Sequence, residues 1–544
     1  MALRCLPSVA VLVATLFIAH PALAAVPADL DARVESSMKS HGVPGLAIAI
    51  VEDGKPVLAK GYGVRKLGSP ERVDADTIFP TGSTGKAITT AALAVLVDEG
   101  KLKWDDKVID HMPGFRMYDP WVTNEMTVRD LLVHRSGLGL GAGDLMFVPA
   151  SSRSRADTVH ALRYIKPATS FRSGYAYDNV LYAVAGQLIE EVSGQSWEVF
   201  VRERVLKPAG MTSSVTEQSA RFANPNRAYP HGRVSGRVRG VGEQSVLDER
   251  KTLGDNGAPA GGLSSSANDM AHWMQVQLGH GTWTNPEGKQ VQVFSEAQSK
   301  EMWTPATLMP LPSWPPKLKA AQPKFSAYAL GWNVTDYRGA KLIAHGGAIF
   351  GVQTYIVLIP ERNLGIAVQM NAEDFQVMRA IANELLDNYL GNGGQDTDWM
   401  VAFDEFMQLR LDGGLAALDA TAKTRASKAG ASLPVSGYAG KYADAWYGPI
   451  TIALDKSAQD KGGLRIDFTQ SPGMAGRLEH WQHDTFRTVW DDSSIEPAYV
   501  TFGLDAEGKV DRVTFKPVSP IADFSYDYAD LQFVPVRDAA VKAH

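Results

Sequence analysis

Cysteine is almost missing from this chain: Cys5 is the single one in 544 residues. A lone cysteine ahead of everything that reads as folded excludes internal disulfides, thiolate catalysis and cysteine-held zinc or iron–sulfur sites. A basic excess is missing too, with 54 Lys and Arg against 60 Asp and Glu and a net charge of −6. Nothing is left over to neutralise a phosphate backbone, so nucleic acid is not expected as a partner. No apolar run reaches the roughly 20 residues that span a bilayer. With 45% apolar and 21% charged residues, the chain is neither disordered nor a polytopic membrane protein. Three motifs are absent as well: G-x-S-x-G, H-E-x-x-H, and a glycine-rich loop closed by Lys-Ser or Lys-Thr. That removes the strand–elbow serine, the helix-borne zinc pair and the nucleotide-phosphate cradle. His480 and His483 are the one close histidine pair, and a strand would point them to opposite faces, so no metal or other cofactor is expected.

What is present begins with an address. Arg4, an apolar run over 9–19 and Ala22-Leu23-Ala24 form the pattern of a signal peptide cut before Ala25. The expected location is the periplasm or the medium, with no membrane segment left after removal of residues 1–24. Cys5 precedes the apolar run and cannot be a lipid-bearing residue.

Residues 45–51 and 56–60 flank Glu52-Asp53-Gly54-Lys55, a hairpin signal. A helix is predicted after Ser83, with Ile88, Ala92, Val95 and Leu96 on one stripe and Gly100 at its end. Further helices are predicted at 128–133, 181–192, 197–205, 267–278 and 372–390, and strands at 352–359 and 366–370. Strands, then helices, then strands and a helix suggest an α+β fold with an antiparallel sheet that the chain leaves and rejoins. From about residue 433 short strands at 450–454, 464–468, 485–490, 499–502 and 513–516 alternate with turns, as in a small β-barrel or sandwich. The expected organisation is a main domain over 25–395, a helical connector over 396–432 and a small β domain over 433–544.

Ser-x-x-Lys occurs twice. Ser36 and Lys39 lie in a polar amphipathic stretch, and a surface role explains them. Ser83 and Lys86 open an apolar helix. A serine there meets the positive end of the helix dipole, and one turn on the lysine lies beside it. A lysine deprived of water loses its proton more easily and can take the hydroxyl's proton. Tyr177-Asp178-Asn179 is the only Tyr-x-Asn: the tyrosine can pass a proton and the amide can hold a carbonyl, or the pair can simply pack and cap. His345-Gly346-Gly347 is the only His-x-Gly, where glycines let a substrate lie along a strand edge, or where a turn carries a surface histidine.

Taken in this order, the three motifs resemble those of the serine β-lactamase and penicillin-binding-protein superfamily, in its class C-like branch, which also holds D-aminopeptidases, other D-stereospecific peptidases and esterases. Residues 127–138, 206–212 and 259–270 resemble segments of the same family, and the likeness covers about 30–390. The resemblance implies a sheet flanked by helices with a helical subdomain, Ser83 as acylated nucleophile, Lys86 as its base and Tyr177 as proton shuttle. It implies Asn179 as the residue orienting Lys86 and the substrate carbonyl, and the N–H groups of Ser83 and Ala348 as oxyanion hole. His345 and Gly347 complete the third motif, and His134 and Asp130 are read as structural. Class C β-lactamases carry Lys-Thr-Gly at the third motif, and this chain has none in place. A histidine there is mostly neutral at pH 7, which weakens a carboxylate anchor and favours small esters or D-amino-acid amides over β-lactams. The last segment resembles the lipocalin-like domains that some relatives append. Tyr62, Phe147, Trp332 and Phe350 fit a pocket lining or a core equally well.

Overall fold

The computed structural model describes residues 25–391, 397–455 and 463–537. The expected signal peptide lies outside the described residues. Among them no helix is long and apolar enough to cross a membrane.

The chain builds an α+β domain on eight antiparallel strands: β1 (Gly45–Glu52), β2 (Lys55–Gly63), β3 (Thr307–Leu308), β4 (Ser326–Tyr328), β5 (Asn333–Tyr337), β6 (Ala340–Ile349), β7 (Val352–Ile359) and β8 (Leu364–Met370). Their order across the sheet is β2-β1-β8-β7-β6-β5-β4-β3. The chain thus leaves the sheet after β2, builds a helical layer, and returns at β3. Strand β1 is apolar at nearly every position because both sheet faces are covered. Leu46, Ile48 and Ile50 pack with α1 (Leu30–His41) and with two helices introduced below. Ala47, Ala49 and Val51 face the layer containing α2 (Lys86–Asp98), α3 (Val180–Ser193) and α4 (Ala267–Leu278).

The first face is closed by α5 (Phe375–Tyr389) and the start of α6 (Trp399–Thr424), whose Trp399, Ala402 and Phe403 enter the same core. Asp398 caps α6 by accepting the Val401 N–H at 3.0 Å. The stretch expected as connector is therefore mostly one helix, anchored on the main domain at its start.

Eight further strands follow: β9 (Gly440–Asp444), β10 (Gly448–Asp455), β11 (Gly463–Asp467), β12 (Ala475–Gln482), β13 (Thr485–Trp490), β14 (Ala498–Leu504), β15 (Val510–Pro517) and β16 (Gln532–Pro535). They close into a barrel where Tyr442 of β9 pairs with Pro535 of β16. Between β15 and β16 the chain makes an excursion over residues 518–531 that lies against the helical layer of the main domain.

Two local expectations differ from the structure. Residues 128–133 form only a 3-10 turn, Arg129–Leu131. The Asp130 carboxylate accepts the Thr127 N–H at 3.1 Å, and His134 takes a left-handed backbone with φ of 56°, which ends any helix. Residues 197–205 start as a helix, Trp197–Val201, and widen into a π turn over Arg202–Leu206.

Candidate active site

Ser83 sits in a 3-10 turn, Gly82–Gly85, that runs into α2 at Lys86. This turn lies against β6 so closely that side chains are excluded. A Cβ on Gly347 would stand 2.2 Å from the Thr81 carbonyl oxygen and 3.1 Å from the Ser83 nitrogen. The backbone N–H groups of Ser83 and Ala348 are thereby drawn to one place, and both residues line a cavity of about 290 Å³.

Lys86 is wholly buried. Its Nζ lies 3.0 Å from Ser83 Oγ, 2.7 Å from Asn179 Oδ1 and 2.8 Å from the Ala260 carbonyl oxygen. The last two atoms can only accept, so they consume two N–H bonds. The third direction points at the serine, and in the neutral amine it holds the lone pair. Burial pushes the Lys86 pKa down to about 7, against a smaller opposing pull from Asp144 and Asp178. Near neutrality a large share of molecules therefore carries a base aimed at the Ser83 hydroxyl.

Tyr177 covers this lysine, its ring 4.9 Å from Nζ, with the Tyr182 ring 5.0 Å away on another side. Burial holds the Tyr177 phenol well above its usual pKa, so it stays protonated. Its hydroxyl interacts with Ser83, yet closes no hydrogen bond of normal geometry with any described group. The ring rests on His134, centroids 4.1 Å apart. Asp178 donates its backbone N–H to His134 Nδ1 at 3.1 Å, which fixes the two segments together. Asp130 accepts from Arg135 and Thr127 at 2.8 Å and 2.7 Å. Both residues therefore support the site from beneath and do not touch the cavity.

His345 departs from its expected place at the substrate. The strand continues through it to Ile349, so parity turns His345 inward, with 3% exposed, and leaves Gly346 and Ala348 facing out. Its Nδ1 lies 2.6 Å from the Gly346 carbonyl oxygen, an acceptor only, so Nδ1 carries the hydrogen. Nε2 then accepts from the Tyr328 hydroxyl at 2.8 Å. Burial pushes its pKa down to about 3, and it is uncharged near neutral pH. The histidine braces Tyr328 and β6. Gly347 serves the close approach, and Ala348 alone of the three reaches the cavity.

Of the four aromatic residues left open, Phe147 and Phe350 line the cavity, whereas Trp332 is core and Tyr62 is core with its hydroxyl on Asp31 at 2.8 Å. Two site residues carried no sequence signal, Tyr328 and Asp144, which accepts from Asn179 Nδ2 at 2.8 Å; Ala260 lies in the family-like segment 259–270, which assigns it no role. Among the described residues no group of three or more His, Cys, Asp or Glu is placed to hold a metal ion.

Comparison with known proteins agrees with this geometry. A family model described as beta-lactamase matches residues 30–390. The chain belongs to the β-lactamase family. It is thereby a member of the superfamily of serine hydrolases and penicillin-binding proteins. A second model, a domain of unknown function designated DUF3471, matches residues 424–535, the end of α6 and the barrel. The chain is 26% identical over 494 residues to the unguisins hydrolase ungD of Aspergillus violaceofuscus, covering 84% of this chain and 82% of that one. It is 29% identical over 442 residues to ungD' of Aspergillus campestris, covering 79% and 78%. Protein flp of Staphylococcus aureus is 26% identical over 357 residues, 65% of this chain and 64% of its own. The octameric penicillin-binding protein homologue from Pyrococcus abyssi superposes with a TM-score of 0.53 at 21% identity, over 93% of this chain and 99% of that one, which speaks for the fold alone.

Proposed function

We propose that this family member is an exported hydrolase that works through an acyl-enzyme on Ser83, cleaving small peptides or amides with D-residues and, more loosely, small esters. One observation carries the reading: a buried lysine with two of its hydrogens committed to fixed carbonyl-type acceptors and its third direction on the serine. In this scheme Ser83 Oγ attacks the substrate carbonyl carbon and its proton passes to Lys86 Nζ. The negative oxygen that forms is met by the N–H groups of Ser83 and Ala348. Tyr177, a protonated phenol, gives its proton to the departing nitrogen or oxygen and is refilled from Lys86. Water then enters along the same path in reverse and frees the acid.

The cavity supports the amide reading. Gln244 and Gln353 spend their amide hydrogens on Asp374 and on the Glu373 carbonyl, at 3.1 Å and 3.3 Å. Their carbonyl oxygens, and that of Gln376, are buried without partners among the described residues, and all three residues line the cavity. Unpaired acceptors match the N–H groups of a peptide and have no counterpart in a simple ester. Two relatives are named as unguisins hydrolases. The neutral His345, where β-lactamases of class C carry a lysine, argues against a β-lactam as the preferred substrate.

The test is a panel of D-alanine p-nitroanilide, its L-isomer, p-nitrophenyl acetate and butyrate, and a chromogenic cephalosporin, on the enzyme and on Ser83→Ala. The D-anilide should be favoured over the L-isomer, intact mass should show an acyl adduct, and Ser83→Ala should lose about 10³-fold or more. Turnover dominated by the cephalosporin would make the enzyme a β-lactamase. No turnover and no mass change would make the chain a binder.

A further inference from the structure

The hydrogen bonds of the site do not end at Asn179. An amide can be turned over, and a reversed Asn179 would aim its NH2 group at Lys86, donor against donor. What prevents this is Asp144. Its Oδ2 accepts Asn179 Nδ2 at 2.8 Å, leaving Oδ1 of the amide for Lys86. Asp144 is fully buried, and the other hydrogen bond to its carboxylate among the described residues comes from the second domain: Ser525 Oγ donates to the same Oδ2 at 2.8 Å. Two residues on, Asp527 accepts the N–H groups on both sides of Asp144, Gly143 at 2.6 Å and Leu145 at 3.2 Å. The excursion between β15 and β16 therefore holds Asp144 by side chain and by backbone.

The approach is built in on both sides. A Cβ on Gly141 would stand 2.5 Å from the Phe524 carbonyl oxygen, and one on Gly414 of α6 would stand 3.0 Å from Ile521.

We infer that Asp144 is a positioning residue for the base of the reaction, and that Ser525 of the barrel domain belongs to the same device: the chain Ser83–Lys86–Asn179–Asp144–Ser525 lets the docked barrel set the hydrogen bonding of Lys86. This rests on the acyl-enzyme reading of Ser83.

The charges add a second handle. Lys86 faces Asp144 and Asp178, with His345 and His134 also within its field. Asp144 faces Lys86, Asp523 and Asp527. Burial raises the Asp144 pKa, opposed by the hydrogen bonds from Asn179 and Ser525 and by the pull of Lys86, and the negative charge it keeps beside Lys86 raises that of Lys86. Removing that charge lets Lys86 lose its proton at lower pH. Activity needs the neutral amine, so the acid limb of kcat/KM moves down.

The experiment measures kcat, KM and pH profiles on whichever substrate of the panel turns over best, for Asp144→Asn, Ser525→Ala and Ser525→Thr. Asp144→Asn should lower kcat by about 10²-fold with KM little changed, and shift the acid limb to lower pH. Ser525→Ala withdraws a donor from the carboxylate, favours its neutral form, and should shift the limb the same way by less, with a loss of several-fold in kcat. Ser525→Thr keeps the hydroxyl and should restore both. Losses with an unmoved acid limb in Asp144→Asn and Ser525→Ala would reduce the chain to a structural contact and overturn the inference, as would a wild-type kcat and limb in Ser525→Ala. If Ser83→Ala keeps its turnover, it is the acyl-enzyme reading that fails instead.

Discussion

The molecule contains two eight-stranded antiparallel assemblies, one open and one closed, and among the described residues the candidate site lies on the open one. In the open sheet, helices cover both faces, and the ends of β6 and β7 meet the first turn of a helix. Polar groups can be buried there provided they satisfy one another, as Lys86 and Asn179 do. The barrel, over its described residues, has no such seam. Its interior is filled by rings, with Phe468 at 5.2 Å from Tyr447, 5.6 Å from Phe515 and 6.0 Å from Phe533, centroid to centroid. Closure removes strand edges but also uses every inward direction for packing. A filled barrel can act only through what it holds outside itself, and here that is chiefly the excursion carrying Phe524, Ser525 and Asp527, together with loop contacts such as the Ser494 carbonyl oxygen, which accepts from the cavity-lining Arg239 at 2.7 Å.

The difference predicts opposite responses to comparable injuries. Gly347→Val in the open sheet forces a side chain into the Thr81 carbonyl and Thr354 Oγ1, 2.2 Å and 2.3 Å from the new Cβ. The strand must move off the nucleophile turn, which separates the two oxyanion donors, so kcat/KM should fall by at least about 10²-fold. Circular dichroism should show the fold retained, with turnover as the main loss. Wild-type turnover would mean that β6 does not form part of the reaction centre.

Phe468→Ala in the barrel should do the reverse. It empties the centre of the ring cluster and should cost about 3–5 kcal/mol of stability, read as a lowered melting temperature or denaturant midpoint. Below that midpoint the excursion is still docked, and turnover per folded molecule should drop by no more than several-fold. A collapse of turnover at full folding would show that the barrel interior is coupled to the site more directly than through its excursion.

What is legible in the sequence follows the same division. Ser83 with Lys86, and Tyr177 with Asn179, are each one helical turn or less apart, so local spacing exposes them. Asp144, in Gly-Ala-Gly-Asp, and Ser525, in Phe-Ser-Tyr-Asp, look like ordinary turn residues, because their meaning lies in a contact between segments 381 positions apart in the chain. His345 is misplaced by parity: the two glycines that follow it read as a turn or an edge and hide the alternation that turns the ring inward. The α+β order and most barrel strands are visible from their apolar alternation. Strand β12, Ala-Gly-Arg-Leu-Glu-His-Trp-Gln, has too little of it, and β3 at two residues and β4 at three are too short to show any period. The segment 128–133 has helical spacing, but side-chain bonds from Asp130 outcompete the backbone ladder.

The smallest expected effect sharpens the comparison most. Ser36 and Lys39 repeat the spacing of Ser83 and Lys86 on α1, itself packed on the sheet through Leu30, Val34 and Met38. Spacing is shared; burial is not, since Ser36 and Lys39 are exposed and Lys86 is sealed. If removal of water from the amine is what makes the second copy a base, the first copy should do nothing. Ser36→Ala should leave kcat/KM unchanged and, because alanine suits a helix interior better by about 0.5 kcal/mol, keep or slightly raise the melting temperature. A measurable loss of turnover in that variant would show that the motif acts without burial, and desolvation would no longer explain why Lys86 is a base.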